Sequence, residues 1–151
     1  MIRKARITDV VEIQKMLRDF AAEGLLLARP LSELYTTLRD LVVFEDEEGT
    51  VAGCCGLHII WSDLAEIRSL AVARSCRRRG IGRRLVEACM SEAVCLGISK
   101  IFTLTYEVEF FERLGFRLVD KNMFPQKVWA DCVHCPKFPN CDESALLLDI
   151  A

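Results

Sequence analysis

No stretch of this chain constrains its fold more than EIRSLAVARSCRRRGIGRRLVEACMSEAVCLG, residues 66–97. A strand-like run enters a loop with six arginines and two glycines, and a helix starts inside that loop. From Ile81 the apolar residues Leu85, Cys89, Ala93 and Leu96 fall on one helical face, and Gly97 supplies the stop. A strand that feeds a glycine loop and then a helix is a phosphate-binding arrangement. The first helical turn has unpaired N–H groups and a partial positive charge, and glycines let the backbone approach a pyrophosphate. Arginines add attraction and bidentate contacts. On spacing alone, a nucleic-acid patch or a solvated helix start would use the same residues.

Composition narrows the choice. The 151 residues are 52% apolar and 28% charged, which suits one soluble globular domain over residues 1–151 with a Cys/Pro-rich tail from 121 to 151. The net charge of -2 makes the basic patch local and argues against a nucleic-acid partner. MIRKARITDVVEIQ has no signal-peptide core, and the longest mostly apolar run, VAGCCGLHIIW, is too short to span a bilayer. A cytoplasmic enzyme or binding module without a membrane partner is expected; a homodimer stays open. The eight cysteines then count as thiols rather than disulfides, with Cys54, Cys55, Cys89 and Cys95 as small core residues.

Periodicity and breakers give the rest of the order. IRKARI is a strand. A helix runs from about Asp9 to Glu23, with Asp9 and Glu12 as a capping box and Gly24 as its stop. Pro30 opens a second helix, LSELYTTLRD. LVVFEDEEGTVAGCCGLHII forms two strands around an acidic turn, LAEIRSLAVA the fourth strand and KIFTLT the fifth. EVEFFERL is a short helix, GFRLVD a sixth strand and SALLLDI a closing one. The fold class is α/β, a mixed sheet with helices on both faces rather than alternating βαβ units.

At the loop the chain resembles a known family. Arg77-x-x-Gly80-x-Gly82, with EIRSLAV before it and FFERLGF after it, is similar to the pattern of the GNAT acetyltransferase superfamily. The resemblance implies the GNAT acyl-CoA N-acyltransferase fold and acetyl-CoA as cosubstrate. Its pyrophosphate would lie on the loop residues Arg77, Arg78, Arg79, Gly80, Ile81, Gly82 and Arg83. Its pantetheine arm would pair with the backbone around Leu70, Ala71 and Val72. The arginines would then face a cofactor phosphate and the partner would be a small-molecule amine.

A narrower resemblance is to the acetyltransferase part of bacterial N-acetylglutamate synthases, through GLLLARPLSELY, AEIRSLAV, FFERLGF and ESALLLDI. It implies glutamate acetylation for arginine synthesis, with Arg29 gripping a carboxylate, Glu66 as general base and Ser144 helping to hold the substrate. Where that family has a second substrate arginine, this chain has Asp142. Another small amine, a protein N-terminus, or a noncatalytic acyl-CoA-binding regulatory module are the alternatives.

The residues themselves support part of this chemistry. Acetyl transfer needs a neutral amine, a polarised carbonyl and a protonated leaving thiol. Glu66 can accept the ammonium proton, and strand alternation puts Arg68 on its face. Arg68 would either weaken that base or hold a substrate carboxylate. The position where many relatives have a tyrosine acid is Phe111, which cannot donate a proton. Tyr106 or a water would serve instead, and a backbone N–H near Leu70 would polarise the carbonyl. Lys127 is a further candidate for a carboxylate. Cys132, Cys135 and Cys141 have an incomplete zinc spacing, so no metal is expected. His58 is expected as a hydrogen-bonded core or cleft residue rather than a ligand.

Overall fold

The computed structural model describes residues 1–124 and 142–150. Its elements are β1 (Ile2–Lys4), α1 (Val10–Ala22), α2 (Leu31–Thr36), β2 (Leu41–Glu45), β3 (Val51–Trp61), β4 (Leu64–Val72), α3 (Ile81–Leu96), β5 (Lys100–Thr105), α4 (Val108–Glu112), β6 (Arg117–Val119) and β7 (Ser144–Asp149). The seven strands form one sheet in the order β1-β2-β3-β4-β5-β7-β6. Every neighbouring pair is antiparallel except β4 and β5. The mixed α/β sheet and the order of its elements are as expected.

β3 reads as a continuous apolar run because it is covered on both faces. Cys55 and Leu57 pack with Ala65 and Ile67 against Leu85 and Cys89 of α3. Cys54 packs with Leu41, Val43 and Ala71 against Val10, Ile13 and Leu17 of α1. Adjacent cysteines thus enter opposite layers, as strand alternation requires. Burial pushes the Cys54 thiol up to about 12, and a hydrogen bond with Cys89 followed by burial pushes Cys55 up as well. Both stay protonated core residues.

Three local expectations need correction. Asp9 does not form a capping box with Glu12. A 3-10 turn over Ile7–Asp9 precedes α1, and the Asp9 carboxylate accepts the Arg6 N–H at 2.7 Å and a forked contact from the Arg3 guanidinium at 2.8 and 3.0 Å. These bonds hold its pKa below the usual carboxylate value, the Arg3 contact most of all. Cys95 is exposed, because α3 buries the face of Ile81, Leu85, Val86, Cys89 and Ala93 and Cys95 lies off that face at helical spacing; Leu96, the last helical residue, is exposed too. α3 and β5 run as expected, but the next two elements shrink: α4 covers five residues and β6 three.

Candidate active site

One irregularity creates the site. Between Cys54↔Ala71 and Gly56↔Arg68, β4 uses one more residue than β3, a bulge in which Ser69 has φ +58°. The Cys54 thiol donates to the Ser69 carbonyl at 3.3 Å and ties that carbonyl toward β3. On its other side, β4 pairs with β5 only from Leu64↔Lys100 to Glu66↔Phe102. The Thr103 hydroxyl donates to the Ile67 carbonyl at 3.0 Å, and beyond that bond the two strands part. The gap opens into a cleft of about 750 Å³, with Leu70, Ala71 and Val72 on one wall and Leu104, Thr105 and Tyr106 on the other.

The arginine-glycine loop closes one end. Arg78 and Gly80 both have positive φ, +65° and +72°, so the backbone turns twice within three residues and enters α3 at Ile81. Successive turns of that kind converge N–H groups into an anion-binding concavity. At Gly80 the requirement is conformational, because a Cβ there would meet nothing within 4 Å. At Gly82 the protein itself leaves room: a Cβ would sit 3.5 Å from the Phe110 ring at the edge of the cleft, an ordinary contact distance.

The six arginines divide. Arg77, Arg78 and Arg83 line the cleft. Arg77 also stacks over the Phe20 ring at 5.1 Å, and Arg83 pairs with Glu87 at 3.4 Å. Arg74 pairs with Glu23 of α1, and Arg84 lies over the Phe44 ring at 6.0 Å. Arg79 corrects an expectation. Its guanidinium turns back to the Cys76 thiol at 3.8 Å, and it does not line the cleft. The remaining expected cofactor residues, Leu70, Ala71, Val72, Arg77, Arg78, Gly80, Ile81, Gly82 and Arg83, all do.

The other end is built from side chains of separate elements. Glu66 and Arg68 share the α1/α2 face of β4, with Oε1 and Nη1 4.0 Å apart. Arg29, in the connection before α2, is buried, and its Nη1 contacts Glu33 Oε1 at 3.1 Å. The same Glu33 oxygen is 3.7 Å from Arg68 Nη2. Arg29, Glu66 and Arg68 all line the cleft, with Leu25, Leu26 and Leu27 as its apolar side. One strand out, His58 faces Glu66 in the β3/β4 register, and its Nδ1 lies 2.7 Å from Asp40 Oδ2. His58 is therefore hydrogen-bonded, as its sequence context implied.

Tyr106 also lines the cleft, and its hydroxyl donates to Asp142 at 2.6 Å. The substituted position is thus bonded to the proposed acid. Ser144 does not reach the cleft: it opens β7 opposite Thr105, and Glu143 just before it forms the wall. Lys127, Cys132, His134, Cys135 and Cys141 lie outside the described residues. Among the described residues no cluster of metal-ligating side chains occurs, and no helix is long and apolar enough to cross a membrane.

Sequence reasoning missed Glu33, the leucine wall, Phe110 and Glu143. Glu33 left a signal in its i,i+4 spacing from Arg29, and all of them lie in the stretches that carry the family resemblance.

The chain resembles known proteins over most of its length. It is 40% identical over 146 residues to an uncharacterised N-acetyltransferase of Chlorobaculum tepidum, covering 97% of this chain and 94% of that one. It is 38% identical over 122 residues to an amino-acid acetyltransferase of Mycobacterium tuberculosis, covering 80% and 70%. Among solved structures, a Mycobacterium tuberculosis protein in complex with CoA superposes with a TM-score of 0.87 at 31% identity, covering 100% and 99%. The N-acetylglutamate synthase of Neisseria gonorrhoeae, complexed with CoA and N-acetyl-glutamate, gives 0.89 at 25% identity; the match covers all of this chain and 35% of that one. The acetyltransferase (GNAT) family profile matches residues 12–116, and the chain belongs to that family.

Proposed function

We propose that this N-acetyltransferase acetylates the α-amino group of an acidic amino acid, L-glutamate in the first place, to give N-acetylglutamate. The observation that carries the reading is the pair of cleft-lining guanidinia, Arg29 and Arg68, converging on one carboxylate oxygen of Glu33 beside Glu66. Two arginines brought to one point, in a cleft whose far end is a phosphate loop, suit an acceptor with a carboxylate. The amino-acid acetyltransferase relative and the synthase neighbour bound to N-acetyl-glutamate support the same substrate class.

Acetyl-CoA supplies an activated acyl carbon. The chain's residues do the rest. The doubly turned loop and the first turn of α3 hold the pyrophosphate, with Arg77, Arg78 and Arg83 adding charge. The β4 edge beyond Glu66, unpaired with β5, receives the pantetheine arm as an added strand, and the N–H near Leu70 polarises the carbonyl. Arg29 and Arg68 orient the acceptor by its carboxylate, and Glu66 takes the ammonium proton. Tyr106, on the opposite wall, donates to Asp142 at rest and protonates the leaving thiolate when its hydroxyl swings to the sulfur, water then restoring the phenol.

The test is turnover of acetyl-CoA with L-glutamate, L-glutamine, L-lysine and a peptide N-terminus, with the product read by mass spectrometry. Glutamate should have the highest kcat/KM. Faster acetylation of a cationic amine or of the peptide would remove the amino-acid assignment. CoA binding with no turnover of any acceptor would favour a regulatory acyl-CoA-binding module.

A further inference from the structure

The site contains a base, but a base that keeps its proton stops after one turnover. Glu66 lines the cleft with its side chain 13% exposed and has Arg68 4.0 Å away, so the proton it accepts needs a way out. Directly across the β3/β4 ladder stands His58. Opposed antiparallel residues carry their Cβ atoms about 4.5–5.5 Å apart on the same face, which leaves the carboxylate and the imidazole within the span of one bridging water. His58 is itself fixed from the other side by Asp40, in the 3-10 turn before β2, at 2.7 Å from Nδ1. A carboxylate in that position accepts the Nδ1 hydrogen, and the lone pair is then left on Nε2. Exposure rises along the same line. The side chain of Glu66 is 13% exposed and that of His58 32%. The charged groups facing His58 are Asp40 from that turn, and Glu66 with Arg68 from β4.

We propose that His58 is a positioning residue for acetyl transfer, a proton relay from Glu66 to solvent whose tautomer is set by Asp40. The ammonium N–H bond breaks as an O–H bond forms on Glu66. That O–H bond then breaks as its proton passes to a bridging water, which gives up one of its own to Nε2 of His58, and the imidazolium passes its proton to bulk water, so that carboxylate and neutral imidazole are both restored. The relay rests on the reading of Glu66 as the base.

His58→Asn and Glu66→Gln should be measured side by side on the best acceptor of the panel. Asparagine keeps a donor for Asp40 and lacks the basic nitrogen. His58→Asn should lower kcat about ten- to a hundredfold in weak buffer and leave CoA affinity unchanged. Added imidazole should restore most of that rate, which a purely structural loss would not allow. Asp40→Asn, which keeps the imidazole but loses its anchor, should fall several-fold in the same direction and provides a second variant if His58→Asn does not fold. If Glu66→Gln is impaired while His58→Asn keeps full kcat, or loses rate that imidazole does not recover, the base stands and the relay is wrong. If Glu66→Gln keeps its activity, both are wrong.

Discussion

The two ends of the cleft are made in different ways. The loop end is built from consecutive residues, and the binding groups proposed for it are backbone amides beside two positive-φ positions, Arg78 and Gly80. The acceptor end brings together Arg29, Glu33, Glu66 and Arg68 from the connection before α2, from α2 and from β4. One end is local and depends on backbone shape. The other is tertiary and depends on charge placed by a β-bulge and a helix. Substitutions should therefore separate the two substrates.

The largest effect belongs to Glu66. Glu66→Gln should cut kcat about 10²- to 10⁴-fold with little change in CoA affinity. Near-wild-type rates across pH would move the proton acceptor elsewhere. Next comes Arg29→Ala. Loss of a charged contact to a carboxylate costs about 1.5–3 kcal/mol, so KM for glutamate should rise roughly ten- to a hundredfold. Titration of glutamate at saturating acetyl-CoA reads this directly.

At the loop end, Gly82→Asp should lower CoA affinity about tenfold or more, measured by calorimetry. The new Cβ would meet Phe110 only at ordinary contact distance, so the fold should survive and the loss should come from charge and bulk against the ligand. Gly80→Ala is milder still. With open space around its Cβ, only the left-handed backbone is penalised, about 1 kcal/mol or about 2–4 °C in Tm.

Asp9 lies outside both ends and provides a control. Arg3 depresses its pKa in the folded state, so its contribution to stability is complete above the unfolded value of about 3.9 and is lost as pH falls through the lower native value. Asp9→Asn should flatten the acid limb of the stability curve and leave both KM values alone. Urea midpoints from pH 2 to 7 check this.

The same division explains what could be read from sequence. The loop was legible because its constraint is local: positive φ selects glycine at 80, and the helix begins where the apolar period does. The strand pattern of β3 to β5 was legible for the same reason. Glu33 was not, since its role depends on α2 bringing it within reach of Arg68, 35 positions along the chain. The inward turn of Arg79 toward Cys76 depends on loop geometry that arginine spacing does not encode. Exposure of Cys95 was legible after all, because at helical spacing it falls off the face of Ile81, Leu85, Cys89 and Ala93.

The most direct test is a cross-profile of Arg29→Ala and Gly82→Asp, with KM measured for both substrates in each variant. Two separable ends predict that Arg29→Ala raises KM for glutamate at least tenfold while KM for acetyl-CoA moves less than about twofold, and that Gly82→Asp does the reverse; sites this distinct should act nearly additively when combined. If either variant raises both KM values equally, the cleft is a single coupled site and its division into a backbone-built donor end and a charge-built acceptor end is wrong.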